Sequence, residues 1–149
     1  MMDGKEKIDF GNEVAKILPS IIRSVTQGQS SILTEGNLSI PQMIILELLR
    51  EKGPCKMNEL AKALHLTMSA VTAIIDKMIK HDLVKRERSD EDRRVVNVIL
   101  MKKGEETAKR IGEERRKTAN QIFSPLSGSE RKEYLRLLRK VYVNLHVQP

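Results

Sequence analysis

At 149 residues with a formal net charge of +7, the chain has room for one buried core and favours an anionic partner, either nucleic acid or a membrane surface. Its first residues mix both charge signs ahead of no long apolar run, and Met43-Ile44-Ile45-Leu46 is broken by Glu47, which argues against a secretory leader and a membrane span and for a soluble cytoplasmic protein. The lone Cys55 excludes an intrachain disulfide, fits a reducing compartment and reads as a small buried filler.

Charge is unevenly spread. Residues 1–54 hold six Lys/Arg against seven Asp/Glu, so the whole positive excess falls in the remaining two-thirds of the chain. In chain order, Val14, Ile17, Leu18, Ile21, Ile22 and Val25 recur at threes and fours and predict a first helix with one apolar face. Ser39 with Gln42 three residues on forms a capping box, Pro41 suits a first turn, and Gly53-Pro54 is a stop, which bounds a second helix. Met57, Leu60, Ala61 and Leu64 give a short third helix. Thr67 caps a fourth carrying Val71, Ile74, Ile75 and Met78, and the two short helices with their tight turn form a helix-turn-helix.

The period then falls from about 3.6 to 2. Val84, Arg86 and Arg88 alternate on one run and Val96, Val98 and Leu100 on the other, with a polar turn from Ser89 to Arg93 between them. This is a β-hairpin, and directly after a helix-turn-helix it is a wing. A fifth helix is expected from Lys102 to Phe123, and a sixth after the Ser127/Glu130 capping box, carrying Leu135, Leu138, Val141, Tyr142 and Leu145. The first, fifth and sixth helices cannot bury their stripes on so small a module and must pack on each other or on a second copy. The expected class is therefore mainly α with a small β-wing: a winged helix-turn-helix over residues 37–101, and a helical dimerisation region made of residues 1–36 and 102–149.

A reading helix needs short side chains on its outer face so that it can approach base edges in the major groove. Ser69, Ala70, Thr72, Ala73 and Lys77 fill those positions: hydroxyls for bases or phosphates, methyls for thymine, an ammonium for phosphate. Residues 85–94 hold five basic side chains and four acidic ones, so the wing is not a polybasic tail. Carboxylates such as Asp90 or Asp92 are expected to shape its tip, fixing one arginine while another projects into the narrow minor groove. Arg86, Arg88, Arg93 and Arg94 are the candidate contacts there. Double-stranded DNA is the expected partner.

Ser39-Ile40-Pro41-Gln42, Asn58-Glu59-Leu60-Ala61, Val71 to Met78, Leu83-Val84-Lys85-Arg86 and Asp90-Glu91-Asp92-Arg93-Arg94 occur in that order, and the chain resembles the MarR-family transcriptional regulators. The likeness spans nearly the whole chain, most strongly residues 38–104. It implies a homodimer of winged helix-turn-helix subunits that binds palindromic operators, often repressing transcription until a small phenolic or anionic effector binds. It also implies that Ser69, Ala70, Thr72 and Lys77 enter the major groove and Arg93 or Arg94 the minor groove. Four residues depart from the family pattern. His65 and Asp82 stand where glycine is usual, and both types tolerate a left-handed backbone. Lys56 and Met101 stand where Ser or Thr commonly caps, which predicts frayed helix starts. The cysteine of peroxide-sensing members lies near the N-terminus, unlike Cys55, which weakens a redox-sensing role.

His65, His81 and His146 are far apart and lack metal-ligand spacing, so no metal site is expected. There is no phosphate-cradling glycine loop, zinc-protease helix or nucleophile elbow, so neither an enzyme nor a cofactor is expected. Two other readings are compatible with the residues. One is an architectural winged-helix protein that binds duplex DNA with little sequence preference and no effector; the other is a protein-interaction scaffold.

Overall fold

The structure, a computed structural model, describes residues 8–27 and 38–147; the stretches 1–7 and 28–36 of the expected N-terminal helical region lie outside the described residues. The elements are α1 (Phe10–Gln27), α2 (Ile40–Lys52), β1 (Cys55–Lys56), α3 (Met57–Leu64), α4 (Met68–Lys80), β2 (Val84–Arg88), β3 (Val96–Leu100), α5 (Lys102–Ile122) and α6 (Gly128–Val147). The chain divides into two compact units, Gly28–Arg115 and Met1–Gln27 with Arg116–Pro149.

In the first unit the helix ends are set by side chains next to them. Ser39 Oγ accepts from the Gln42 N–H at 3.4 Å while Gln42 Oε1 accepts from the Ser39 N–H at 2.8 Å. This reciprocal pair satisfies two of the donors a helix start leaves orphaned, and it lets Gln42 be buried at 2% exposure. Gly53, with φ of 79°, closes α2 by donating to the Leu49 carbonyl at 2.9 Å. Thr67 Oγ1 accepts from Ala70 N at 3.2 Å and opens α4.

The four departures from glycine and cap chemistry each have a local answer. His65 (φ 53°) and Asp82 (φ 58°) take the left-handed conformation where α3 and α4 end. The expected fraying at Lys56 is offset by Glu59, whose carboxylate accepts from the Lys56 N–H at 2.8 Å. At Met101 the N–H donates to the Leu83 carbonyl at 3.0 Å, so backbone replaces the missing side-chain cap at the start of α5.

The hairpin pairs as its alternation predicts, antiparallel, with Val84 opposite Leu100, Arg86 opposite Val98 and Arg88 opposite Val96. One element goes beyond the sequence reading. Cys55 and Lys56, expected in a loop, form a third strand that pairs antiparallel with β3, Cys55 opposite Val98, giving the order β1-β3-β2. Two residues show no period, so nothing local announces this strand.

The core of this unit joins α2 (Met43, Ile45, Leu46), α4 (Val71, Ile75, Met78), the sheet (Val84, Val98) and the first half of α5 (Ala108, Ile111), all at 2% exposure or less. Each such side chain contributes roughly 1.5–3 kcal/mol if it is a full-sized aliphatic. Gly104 decides how closely α5 can come. A Cβ built there would stand 2.0 Å from the Leu83 carbonyl oxygen, which is backbone and cannot swing aside.

In the second unit, α6 opens on the expected capping box. Ser127 Oγ accepts from the Glu130 N–H at 3.3 Å, and Glu130 accepts from the Ser127 N–H at 2.7 Å, bonds that hold the Glu130 carboxyl below its ordinary pKa. Phe123 and Tyr134 stack at a tilt with ring centroids 5.0 Å apart.

Gly104→Ala is expected to destabilise the protein by on the order of 1–3 kcal/mol through this backbone clash, read as a lower urea midpoint. An unchanged midpoint would show that α5 can shift away without loss.

Candidate nucleic-acid interface

A helix can present an uncrowded face only if the opposite face holds it in place. In α4, Val71, Ile75 and Met78 sit at i, i+4 and i+7 with no exposure, fixing its rotation about its own axis. The other side then carries Ser69, Thr72, Ala73 and Lys77, all exposed, with Ala70 half-buried at the margin. Of the five expected reading residues, four therefore share an open face and Ala70 contributes only its edge. The Thr72 hydroxyl donates to the Met68 carbonyl at 2.8 Å, leaving its oxygen as an acceptor, and Ser69 Oγ lies 3.3 Å from Thr67 Oγ1.

The wing is shaped differently from the expectation. Asp92 does not grip a guanidinium. Its carboxylate accepts from the Arg94 N–H at 3.0 Å, while its carbonyl accepts from Val95 N at 2.9 Å and the Val95 carbonyl accepts from Ser89 N at 2.9 Å. Asp92 thus folds the tip through the backbone, as short carboxylates do in tight turns, and leaves the Arg94 side chain unengaged. Arg93 and Arg94 are exposed, and among the described residues no ion pair holds either of them. Asp90 is exposed and takes no hydrogen bond among the described residues, so the structure gives it no part in shaping the tip.

Arg86 and Arg88 part company. Arg86 lies opposite the buried Val98, on the face of the hairpin that turns inward at Val84, and its Nη1 lies 2.7 Å from Asp76 Oδ1 on α4. It ties the wing to α4. Arg88, at the outer end of β2, is exposed and without an ion pair among the described residues. Asp76 went unassigned in the sequence reading. The alternation places Arg86 on the same face as Val84, but nothing in it names Asp76 as the partner.

Cys55 is buried at 5% exposure, its Sγ donates to the Gly53 carbonyl at 3.4 Å, and burial pushes its thiol pKa up, away from the reactive thiolate. His65 and His81 stand at the C-terminal ends of α3 and α4, while the His146 side chain lies outside the described residues. Among the described residues no group of three His, Cys, Asp or Glu could hold a metal, and no helix is long and apolar enough to cross a membrane.

The Asp76–Arg86 pair is about one-third to one-half exposed, with side-chain values of 51% and 34%, so its contribution is screened. A double-mutant cycle of Asp76→Ala and Arg86→Ala should give a coupling of about 0.3–1 kcal/mol in urea unfolding. Zero coupling would remove the brace.

The chain is similar to known proteins in sequence and in fold. The model of the MarR family matches residues 38–96. The chain is 30% identical over 118 residues to the HTH-type transcriptional regulator YsmB of Bacillus subtilis, covering 79% of this chain and 81% of the relative. It is 33% identical over 112 residues to the HTH-type transcriptional regulator MgrA of Staphylococcus aureus, covering 75% of each. Among solved structures, a MarR family protein from Bacillus stearothermophilus superposes with a TM-score of 0.82 at 29% identity, covering 91% of this chain and 94% of that one. The transcriptional regulator BldR from Sulfolobus solfataricus superposes with a TM-score of 0.66 at 30% identity, covering 97% and 99%.

Proposed function

Since the chain belongs to the MarR family and is, with it, a DNA-binding transcriptional regulator rather than an enzyme, we propose that it acts as a homodimer that represses transcription from palindromic operators and is released by a small anionic or phenolic ligand. In this reading residues 37–101 are the DNA-binding head, and residues 1–36 and 102–149 the dimerisation region. Its place of action in this reading is the cytoplasm.

The observation that carries the homodimer is the apolar surface left over on α1 and α6. In α1, Val14, Ile17, Leu18 and Ile22 recur at helical spacing, and Ile17 and Ile22 are each 53% exposed. In α6, Leu135, Leu138, Val141, Tyr142 and Leu145 do the same, with Leu145 at 68%. Contiguous apolar stripes of this length are rare on monomers, and a second copy offers the same residues in return. Pairing would also set two reading heads at a fixed separation, which suits half-sites one helical turn, roughly 34–36 Å, apart.

Within each head, Ser69, Thr72, Ala73 and Lys77, with Ala70 at their edge, are assigned to the major groove. Their small size permits close backbone approach, and Lys77 is assigned to a phosphate. Arg93 and Arg94 are assigned to the minor groove, where a narrow, electronegative wall attracts guanidinium groups, and Arg88 to the adjacent backbone. Arg86 contributes through Asp76, by keeping wing and helix in register.

Sedimentation of the purified protein should give twice the monomer mass of 17.0 kDa; a stable monomer would end the homodimer reading. Arg94→Ala and Thr72→Ala should each weaken binding to an inverted repeat upstream of its own gene by on the order of 1–3 kcal/mol while leaving the oligomer intact. Wild-type affinity in both would remove these assignments. Log K should fall against log salt with a slope near −0.9 for each phosphate neutralised, and a flat response would exclude ordinary duplex binding. In footprinting, a protected inverted repeat supports the regulator, while uniform coverage would indicate an architectural protein instead.

A further inference from the structure

Where the C-terminal end of α2, the strand β1 and the helix α3 meet, the head carries a groove of about 470 Å³, within the range of small-molecule sites. Leu48, Pro54, Leu60 and Ala63 give it apolar walls, and Lys52 and Lys62 line it with two ammonium groups. Glu59, the one carboxylate among the lining residues, is already engaged in accepting from the Lys56 N–H at 2.8 Å. With two lysines against one carboxylate, the groove's lining combines apolar side chains with a net positive charge. Its fourth component, Cys55, is buried, donates to the Gly53 carbonyl and has its pKa raised by burial and by Glu59, so the groove presents a neutral thiol and no nucleophile.

We propose that this groove is a non-covalent effector site on the head itself, taking a small organic anion whose apolar body lies along Leu48, Leu60 and Ala63 and whose acid group meets Lys52 and Lys62. The elements that form it reach both halves of the reading surface. Leu60 on α3 is part of the core that holds Val71 and Ile75 of α4, and Cys55 on β1 pairs with Val98, which in turn pairs with Arg86 on the wing. An occupant that shifts α3 or β1 thus acts within one head, without requiring a change in the spacing of two. This rests on the reading of the head as a DNA-binding unit.

The test uses the full-length protein and 2-naphthoate as probe, with octanoate and phenyl phosphate beside it and the neutral 2-naphthamide as control. Amide resonances of residues 48–63 should shift saturably with 2-naphthoate, and 2-naphthamide should bind at least tenfold more weakly. Ala63→Trp, which fills the groove from an exposed position, should abolish these shifts, and Lys52→Glu with Lys62→Glu should weaken binding at least tenfold. Saturating 2-naphthoate should change affinity for the protein's own promoter DNA by at least threefold in the wild type and not in Ala63→Trp. Saturable shifts confined to other residues, or none with any of the three anions, would overturn the site. A folded Ala63→Trp variant that still binds would do so too, as would occupancy of the groove with unchanged DNA affinity. Promoter binding without probe is measured separately, so loss of the DNA-binding reading itself is distinguishable from loss of the groove.

Discussion

Burial of the inner face of α4 against the sheet is the interaction on which the proposed reading surface depends. Val71, Ile75 and Met78 on the helix and Val84 and Val98 on the strands are all sealed from solvent. Together they fix the rotation of α4, the height of the hairpin and the angle between the two. Because this contact absorbs the apolar residues of both elements, the outward residues of α4 and the wing tip are released from packing. They can then be small, polar or cationic without cost to the fold. Asp76 and Arg86 add a directional tie at 2.7 Å across the same junction. A screened pair of this kind contributes little energy, but it restricts how the wing can swing over the helix.

The same junction extends into α5. The Leu83 carbonyl, at the entry to the wing, accepts from Met101 N and also lies against Gly104. Leu83 thereby links the end of α4, the start of the wing and the first turn of α5 within a few ångströms. Two ion pairs continue this attachment along the helix, Arg50 to Glu105 at 3.2 Å and Glu47 to Arg115 at 2.7 Å. The first half of α5 is in this sense part of the head, and the remaining turns lead by covalent continuity into the other compact unit. An occupant of the proposed α2/β1/α3 groove would act within the head, without the other unit.

Charge and apolar surface are divided along the chain in a way that matches these roles. The positive excess lies entirely beyond residue 54. The N-terminal helix instead carries an exposed aliphatic stripe, and α6 carries a second one beside basic residues. Aromatic residues make up 3% of the chain, so an interface built from these stripes would be aliphatic and its energy would follow the area covered rather than a few ring anchors.

Much of this architecture was legible in the residues because the forces that set it are local. Ser39, Thr67 and Ser127 cap their helices through neighbours three residues away, and Val84, Arg86, Val96 and Val98 declare a strand by alternating. His65 and Asp82 were singled out by the family resemblance, which has glycine there, and both take the left-handed backbone that their side chains tolerate. What the sequence could not decide were the pairings between segments distant along the chain. Cys55 became a strand only because β3 offered it an open edge 43 residues on. Asp92 turned to a backbone amide rather than a guanidinium because the tip's geometry put that donor nearest. Arg86 turned toward Asp76 because its strand face was already committed inward. Period, cap and turn are properties of a few adjacent residues and can be read from them, while the partner of a side chain depends on which surfaces the folded chain brings within reach.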